Sequence, residues 1–226
     1  YTTDNRDGFY NLYLYSLKEK QLTRLTRVDA DVEYLDHDNK YVYYYSAEVS
    51  SAERHLCRVN IATGKSVRLT RAEGWHQCQL STDKRYFTDN YSSLNVPRVV
   101  AVGSTDAKFY REVFKAEDPC KDYNFAPIEL GTIKSADGKY DNHYRLIRPL
   151  DFDSTKQYPV ILYVYGGPHT QLVRNSYQAS LRRWEMYMAQ RGYVVFVMDN
   201  RGTPNHGADY ARAIHRQCGV AEMQDQ

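Results

Sequence analysis

The 226-residue sequence lacks any long apolar run and any strong excess of charge of one sign. No stretch approaches the roughly 18 consecutive apolar residues that a membrane-spanning helix needs. Lysine and arginine number 30 and aspartate and glutamate 28, so charge does not favour nucleic acid or an anionic membrane as partner. We therefore expect no membrane span in this segment and no nucleic-acid partner.

Cysteine is scarce, with four residues and no C-x-x-C spacing among Cys57, Cys78, Cys120 and Cys218. A zinc site built on Cys57, His76 and Cys78 lacks a fourth ligand at zinc spacing, so we predict no metal. No cofactor is predicted either. Two alternatives remain for Cys57 and Cys78: buried free thiols or, in an exported protein, one disulfide between them.

Residues 1–114 lack a helical period in their hydrophobicity. Short aromatic or β-branched runs alternate instead with turn signals. The 22 tyrosines of the chain suit half-buried sheet surfaces, where the ring packs and the hydroxyl stays wet. An all-β domain is predicted, with strands at 9–15, 41–45, 55–61, 85–90 and 98–102.

An internal repeat indicates the kind of β domain. Residues 11–17, followed by Arg24-Leu25-Thr26, align with residues 55–61, followed by Arg68-Leu69-Thr70, at a shift of 44 residues. Residues 99–104 repeat the pattern weakly. A period of about 40–50 residues with four short strands per repeat is typical of β-propeller blades. A small β-sandwich with accidental self-similarity is the alternative, which the registered Arg-Leu-Thr endings disfavour.

The second half of the chain has a different pattern. Residues 115–127 show no period and are predicted to be a linker. The runs 128–134 and 140–148 flank a segment with Asp137-Gly138, which favours a hairpin. Residues 158–165 form an apolar run that Gly166-Gly167-Pro168 interrupts.

This apolar run opens a predicted βαβ unit. It is predicted to be a buried strand, followed by a helix at 180–191, a second apolar strand at 193–198 and a helix at 208–217. Both strands are expected to be covered on both faces, as in a parallel sheet. The order fits the first part of an α/β-hydrolase sheet.

Three stretches resemble a known family: YPVILYVYGGPH, RGYVVFVMDNRGTPNHG and AIHRQCGVAEMQDQ. They are similar to consecutive blocks of the catalytic domain in the bacterial dipeptidyl peptidase IV and prolyl tripeptidyl aminopeptidase branch of the prolyl oligopeptidase family. DNRDGF and LYLY near the start resemble the last propeller blades of that family. One departure is His206-Gly207, where relatives usually show Arg-Gly. The family's nucleophile motif, Gly-Trp-Ser-Tyr-Gly-Gly, would follow roughly two dozen residues after Asp225-Gln226.

The prediction for the whole chain is a mixed fold. It comprises the C-terminal blades of a β-propeller over 1–114, a linker over 115–127 and the truncated first part of an α/β-hydrolase domain over 128–226. The resemblance implies a fragment of a serine exopeptidase that acts on peptides with N-terminal Xaa-Pro, releasing N-terminal dipeptides with Pro or Ala at the penultimate position. Alternatives are a prolyl tripeptidyl aminopeptidase or other family member and, from another class, a propeller-bearing binding protein with a degenerate hydrolase domain.

The resemblance also implies one site residue. Tyr165, the tyrosine before Gly-Gly-Pro, inherits the role of donating its hydroxyl to the oxyanion hole. Substrate-binding residues are not identified, because the family's paired glutamates lie upstream of Tyr1 and Glu48, Glu53 and Glu73 match no such pair. A periplasmic or secreted parent, with its export signal upstream, is the family expectation, and a homodimeric parent is left open.

Four further titratable residues are weighed against catalysis. His169 and His215 do not match the catalytic histidine, because in this family it follows the nucleophile in the order Ser, Asp, His. Glu222 and Asp225 open a predicted helix, where carboxylates complement the helix dipole, so we expect them to be solvated or capping groups. Arg201, in a turn after the second strand, is predicted to pair with internal carboxylates.

Overall fold

The structure is a computed structural model that describes all 226 residues, Tyr1–Gln226. The chain divides into two compact units, the first holding residues 1–92, 98–116 and 205–209 and the second holding 93–97, 117–204 and 210–226. None of the helices has the length and apolarity needed to span a bilayer. Two short segments, 93–97 and 205–209, thus pack in a different unit from their sequence neighbours.

The first eleven strands form three antiparallel meanders. The first sheet holds β1 (Thr2–Asp4), β2 (Asn11–Ser16) and β3 (Gln21–Arg24). The second holds β4 (Val32–His37), β5 (Tyr41–Ser46), β6 (His55–Asn60) and β7 (Ser66–Arg68). The third holds β8 (Trp75–Leu80), β9 (Tyr86–Ser93), β10 (Val96–Ser104) and β11 (Tyr110–Lys115). Consecutive strands pair within each sheet, as in propeller blades, so the predicted strands are confirmed.

The repeated Arg-Leu-Thr endings perform the same task in two sheets. Thr26 Oγ1 accepts a hydrogen bond from the Leu12 amide at 2.9 Å, and Thr70 Oγ1 accepts one from the Leu56 amide at 3.2 Å. Each threonine therefore ties the end of the outer strand back to the neighbouring strand. This shared contact explains why the sequence repeat is in register.

Strand β5 is buried on both faces. Val42 and Tyr44 lie in one apolar cluster, with Leu12 of the first sheet, and Tyr43 and Tyr45 lie in another, with residues of the third sheet. The Tyr43 hydroxyl donates to Asp38 Oδ2 at 2.9 Å, and Tyr45 donates to the Cys78 carbonyl at 3.2 Å. The expectation that tyrosine hydroxyls stay wet is wrong for these two, since protein groups replace water as their partners.

Cys57 and Cys78 are buried free thiols in two different apolar clusters. Burial raises the pKa of Cys57 to about 12 and raises the pKa of Cys78 well above its ordinary value. The disulfide alternative is therefore wrong, because both thiols are free and lie in different apolar clusters. No group of three or more His, Cys, Asp or Glu residues is placed to hold a metal ion.

The second unit contains a four-stranded mixed sheet in the order β12-β13-β15-β14. Its strands are β12 (Ile128–Lys134), β13 (Asp141–Ile147), β14 (Val160–Tyr163) and β15 (Val194–Met198). β12, β13 and β15 pair antiparallel, and β14 pairs parallel to β15. The predicted hairpin and βαβ unit are confirmed.

The chain has three short α-helices: α1 (Arg183–Gln190) and α3 (Ala221–Asp225) lie in this unit, and α2 (Ala208–Arg212) begins in the first unit and ends in the second. Met186 and Ala189 of α1 pack on Ile147 and Val195 of the sheet. Burial of this helix face covers one side of β13 and β15. α1 is the crossover helix that lets β14 and β15 run parallel.

The first strand of the βαβ unit is less buried than predicted. Val160 is 63% and Leu162 43% exposed, because β14 is the last strand in the sheet order and pairs only with β15. In contrast, Val195 and Val197 of β15 are fully buried, as expected of a central strand.

Both predicted helices are shorter than expected. α1 starts at Arg183 rather than at 180, because Gln178, Ala179 and Ser180 have left-handed φ values of 51°, 51° and 56°. α2 ends at Arg212, and the chain continues to residue 217 in turns rather than as a helix.

Candidate functional site

Tyr165 lies two residues beyond the end of β14, in a loop and not in the strand itself. Gly166 has φ +68°, and a Cβ on Gly167 would lie 3.1 Å from Cε1 of the Tyr165 ring. The two glycines therefore allow the turn and let the ring lie over the backbone. The ring is held in this way while 52% of the residue stays exposed.

The rest of this loop is anchored by the residue that follows β15. Both carboxylate oxygens of Asp199 accept backbone hydrogen bonds, Oδ1 from Leu172 at 2.7 Å and Oδ2 from Val173 at 3.1 Å. Asp199 is only 2% exposed. The middle of the segment between Tyr165 and α1 is thus fixed to the carboxyl edge of the sheet.

A buried ion pair binds the same loop from the other side. Arg145 of β13 donates from Nε and Nη2 to both carboxylate oxygens of Glu185 in α1, at 3.1 and 2.8 Å. Its Nη1 donates to the carbonyls of Leu172 at 2.7 Å and Ala179 at 3.1 Å. Because the pair is bidentate and its remaining donor is satisfied, its buried charges are compensated.

The electrostatics of Asp199 are unusual for an aspartate. Burial raises its pKa to about 7, against the opposing effect of the Leu172 and Val173 amides and of the Arg145 and Arg174 charges. The group therefore changes charge near neutral pH.

The geometry suits stabilisation of a developing negative charge. Tyr165 presents a phenol at the carboxyl edge of a parallel strand, where open α/β sheets bind ligands, on a loop whose residue Leu172 is bound by buried groups. A donor held in place before the reaction stabilises an oxyanion without a reorganisation cost.

The other histidines and glutamates weighed in the sequence are placed elsewhere. His169 is exposed in the same loop with φ +67°, and His215 is exposed after α2. Glu53 Oε2 lies 2.8 Å from His55 Nε2, and Glu48 and Glu73 are exposed in the first unit. The two histidines keep their non-catalytic interpretation as a prediction.

The expectation for Arg201 is confirmed, and the one for Asp225 is wrong. Arg201 Nη1 donates to Asp137 at 3.0 Å, and its Nε and Nη2 donate to Asp225 at 2.9 Å each. The Asp225 side chain is fully buried, and it also accepts from the Ala136 amide at 3.0 Å. It is neither solvated nor a cap, because α3 turns it inward to neutralise Arg201.

The neighbouring carboxylate is also buried. Glu222 is 2% exposed and accepts a hydrogen bond from the Gly219 amide at 2.9 Å. It therefore closes the turn before α3, which agrees with a capping group and not with a solvated one.

The departure at His206-Gly207 lies within the first unit. His206 Nε2 is 3.0 Å from Ser51 Oγ, and the Gly207 amide donates to Asp31 Oδ2 at 3.1 Å. A Cβ on Gly207 would meet the ring of Phe9 at 2.8 Å, so a glycine is needed there. His206 therefore has a hydrogen-bond partner within the first unit.

Sequence reasoning missed Arg145, Glu185 and the anchoring role of Asp199. Glu185 carried a signal, since it lies on the apolar face of α1 beside Met186 and Ala189, whereas Arg145 carried little, because its strand also contains Asp141, Asn142 and His143. A charged side chain in a core position requires a buried partner. Their pairing could not be deduced, because they are 40 residues apart.

Comparisons with known proteins agree across both units. Residues 1–98 match the family model described as the dipeptidyl peptidase IV N-terminal region, and residues 179–226 match the prolyl oligopeptidase family. The chain is 30% identical over 204 residues to dipeptidyl peptidase 8 of Mus musculus, an alignment that covers 85% of this chain and 22% of the mouse protein.

Solved structures extend the likeness to the whole chain. A Bacteroides ovatus protein described as a "putative dipeptidyl aminopeptidase IV" superposes with a TM-score of 0.90 at 34% identity, covering 99% of this chain and 35% of that one. Dipeptidyl peptidase 4 of Porphyromonas gingivalis superposes at 0.88 and 31% identity, covering 99% and 32%. The chain thus spans between 22% and 35% of the length of these relatives. Family models and structures agree, and the chain belongs to the dipeptidyl peptidase IV group of the prolyl oligopeptidase family.

Proposed function

We propose that the parent protein of this chain is a serine exopeptidase that releases N-terminal dipeptides with Pro or Ala at the penultimate position. The observation that carries the proposal is the likeness of 99% of the chain, at 34% identity and a TM-score of 0.90, to a protein described as a dipeptidyl aminopeptidase IV. The placement of Tyr165 supports it, because acyl transfer needs a hydrogen-bond donor at the carboxyl edge of such a sheet.

Tyr165 supplies the one catalytic group proposed within these residues. Its hydroxyl would donate to the oxygen of the scissile carbonyl as that oxygen gains negative charge. The nucleophile, base and orienting acid would come from parts of the parent outside this sequence, since no Gly-x-Ser-x-Gly motif occurs in it.

Three chromogenic substrates test the proposal in the full-length parent. We expect release of p-nitroaniline from Gly-Pro-p-nitroanilide, little from Ala-Ala-Pro-p-nitroanilide and none from N-acetyl-Gly-Pro-p-nitroanilide, with inhibition by a serine-directed phosphonate. Turnover of the tripeptide substrate alone would favour a tripeptidyl aminopeptidase. Absence of turnover on all three would favour a binding protein with a degenerate hydrolase domain.

The 226-residue chain is the matched control. It contains Tyr165 but no candidate nucleophile, so we expect no phosphonate-sensitive turnover from it.

The proposal also covers the location and the oligomeric state of the parent protein. We propose that the parent is periplasmic or secreted and that it forms a homodimer. Cell fractionation and sedimentation of the parent test these two points.

A further inference from the structure

The segment after Tyr165 contains one peptide group that is bound on both sides by buried charged residues. In the peptide group between Leu172 and Val173, the Leu172 carbonyl accepts from Arg145 Nη1 at 2.7 Å and the Val173 amide donates to Asp199 Oδ2 at 3.1 Å; the preceding amide, of Leu172, donates to Asp199 Oδ1 at 2.7 Å. The peptide between Leu172 and Val173 is therefore a fixed point between Tyr165 and α1.

The two side chains that hold this peptide are themselves fixed. Arg145 is bound by both oxygens of Glu185, and Glu185 Oε1 also accepts the Arg182 amide at 3.1 Å. The Asp199 amide donates to the His143 carbonyl at 2.9 Å, which ties the residue to β13. Anchors on β13, α1 and the end of β15 thus converge on one loop.

Several residues of the segment between Tyr165 and α1 have an unfavourable backbone conformation. His169 and the run Gln178, Ala179 and Ser180 all have positive φ values between 51° and 67°. Each such residue costs of order 1 kcal/mol or more, so the loop needs external contacts to keep this shape. Arg145 supplies one of them directly, through the Ala179 carbonyl at 3.1 Å.

We propose that Arg145, Glu185 and Asp199 form a clamp on the peptide between Leu172 and Val173 that positions Tyr165 for catalysis. These three are positioning residues and act through Tyr165, which is the group that meets the substrate, so the catalytic part of this inference rests on the proposed function. Without the clamp the loop relaxes and the hydroxyl is no longer held where the oxyanion forms.

Asp199→Asn in the full-length parent removes one of the two acceptor oxygens while the side chain keeps its size. We expect kcat to fall about ten- to hundredfold with KM little changed, because misplacement of a catalytic group by about 1 Å has effects of this size. In the Tyr165→Phe background the same substitution should change kcat by less than about threefold, since residues that act as a unit are not additive.

Asp225→Asn is the matched control. Asp225 is an equally buried carboxylate that also accepts a backbone amide, from Ala136, but it is bound to Arg201 and does not touch the loop. Any effect it has on kcat should multiply with that of Tyr165→Phe. If the effects of Asp199→Asn and Tyr165→Phe also multiply, the clamp does not act through Tyr165 and the inference is wrong.

Glu185→Gln provides a second, milder variant should Asp199→Asn fail to fold. It weakens the hold on Arg145 and should show the same dependence on Tyr165. Hydrogen exchange provides a readout independent of activity: peptides containing Leu172 and Val173 should exchange faster in either variant. If Tyr165→Phe keeps full activity, Tyr165 has no catalytic role, whether or not the clamp exists. If hydrogen exchange at these amides is unchanged in both variants, the clamp does not hold the loop and the inference is wrong.

Discussion

The surroundings of Tyr165, and not its side-chain chemistry, distinguish it from the other tyrosines. Twenty-one other tyrosines have the same hydroxyl. Only this one follows the parallel edge strand, with its ring over Gly167 and half of its surface exposed. Its place after β14 and the contact of its ring with Gly167 make it a candidate hydrogen-bond donor to an oxyanion.

Replacing Tyr165 with Phe in the full-length parent tests that role. Loss of one oxyanion donor should lower kcat by roughly 10²–10³, with KM little changed, because the bond strengthens mainly in the transition state. Tyr187→Phe is the matched control, since Tyr187 is also 52% exposed but lies on α1. A kcat of Tyr165→Phe within about threefold of wild type would remove Tyr165 from the mechanism.

Asp199 should also leave a signature in the pH dependence of stability. Its pKa is near 7 in the folded state and near 3.8 when exposed, so the folded state binds the proton more tightly. Stability from this group is therefore present at low pH and is lost as pH rises from about 4 to about 7. The loss is on the order of 4 kcal/mol.

Urea unfolding of wild type and Asp199→Asn at several pH values between 4.5 and 7.5 measures this effect. The difference between their unfolding free energies should shift in favour of the Asn variant as pH rises. Two other groups beside Asp199 are common to both proteins, so their effects cancel in the difference: His143, whose carbonyl accepts from the Asp199 amide and whose pKa burial lowers, and Tyr210, whose hydroxyl donates to the Asp199 carbonyl and whose pKa burial raises. Parallel curves would contradict the buried, charge-changing carboxyl.

At the scale of elements, ionic contacts connect parts of the second unit that have few apolar residues to bury. α3 is five residues long, far below the length at which a helix is stable alone. Arg201 joins it to the turn between β12 and β13, through Asp225 and Asp137. The helix therefore depends on this contact.

Arg201→Gln should detach α3. Loss of one buried charged partner leaves Asp225 uncompensated, and we expect a cost of about 2 kcal/mol, or a melting temperature lower by roughly 4–8 °C. Limited proteolysis should cut near residues 219–226 sooner than in wild type. Arg85→Gln, which breaks an exposed pair with Asp83, should leave the melting temperature and the cleavage pattern unchanged; a similar effect of both variants would contradict the argument.

For the whole molecule, we consider the β14 edge of the four-stranded sheet in the second unit. β14 pairs only with β15, and Val160 and Leu162 are 63% and 43% exposed on it. An exposed apolar edge strand is a template for pairing between chains. The 226-residue chain should therefore self-associate through this edge.

Sedimentation velocity of the isolated chain measures this association. Leu162→Lys should reduce it, because a charge on an edge strand opposes pairing. Leu17→Lys is the control: Leu17 is 85% exposed but lies in the turn after β2, so its replacement should leave association unchanged. A wild-type chain that stays monomeric at high concentration would show that the edge is not available.

The sequence by itself determined the local elements and the family. Aromatic and β-branched runs between turns predicted the strands, the Arg-Leu-Thr repeat predicted blades, and Asp137-Gly138 predicted the hairpin. These patterns reflect contacts between residues that are close in sequence, or between one strand and the next. They can therefore be recognised in the amino-acid sequence alone. Helix limits were less well predicted, because Gln178–Ser180 take left-handed conformations that tertiary contacts impose.

Only the tertiary structure decided which charges meet. Asp199 lies 27 residues from Leu172, Glu185 lies 40 from Arg145, and Arg201 lies 64 from Asp137. Likewise it placed Asp225 inside rather than at the surface and Cys57 and Cys78 in separate clusters. These pairings follow from strand order and helix packing, which bring distant residues into a low-dielectric interior where an uncompensated charge is too costly to remain alone.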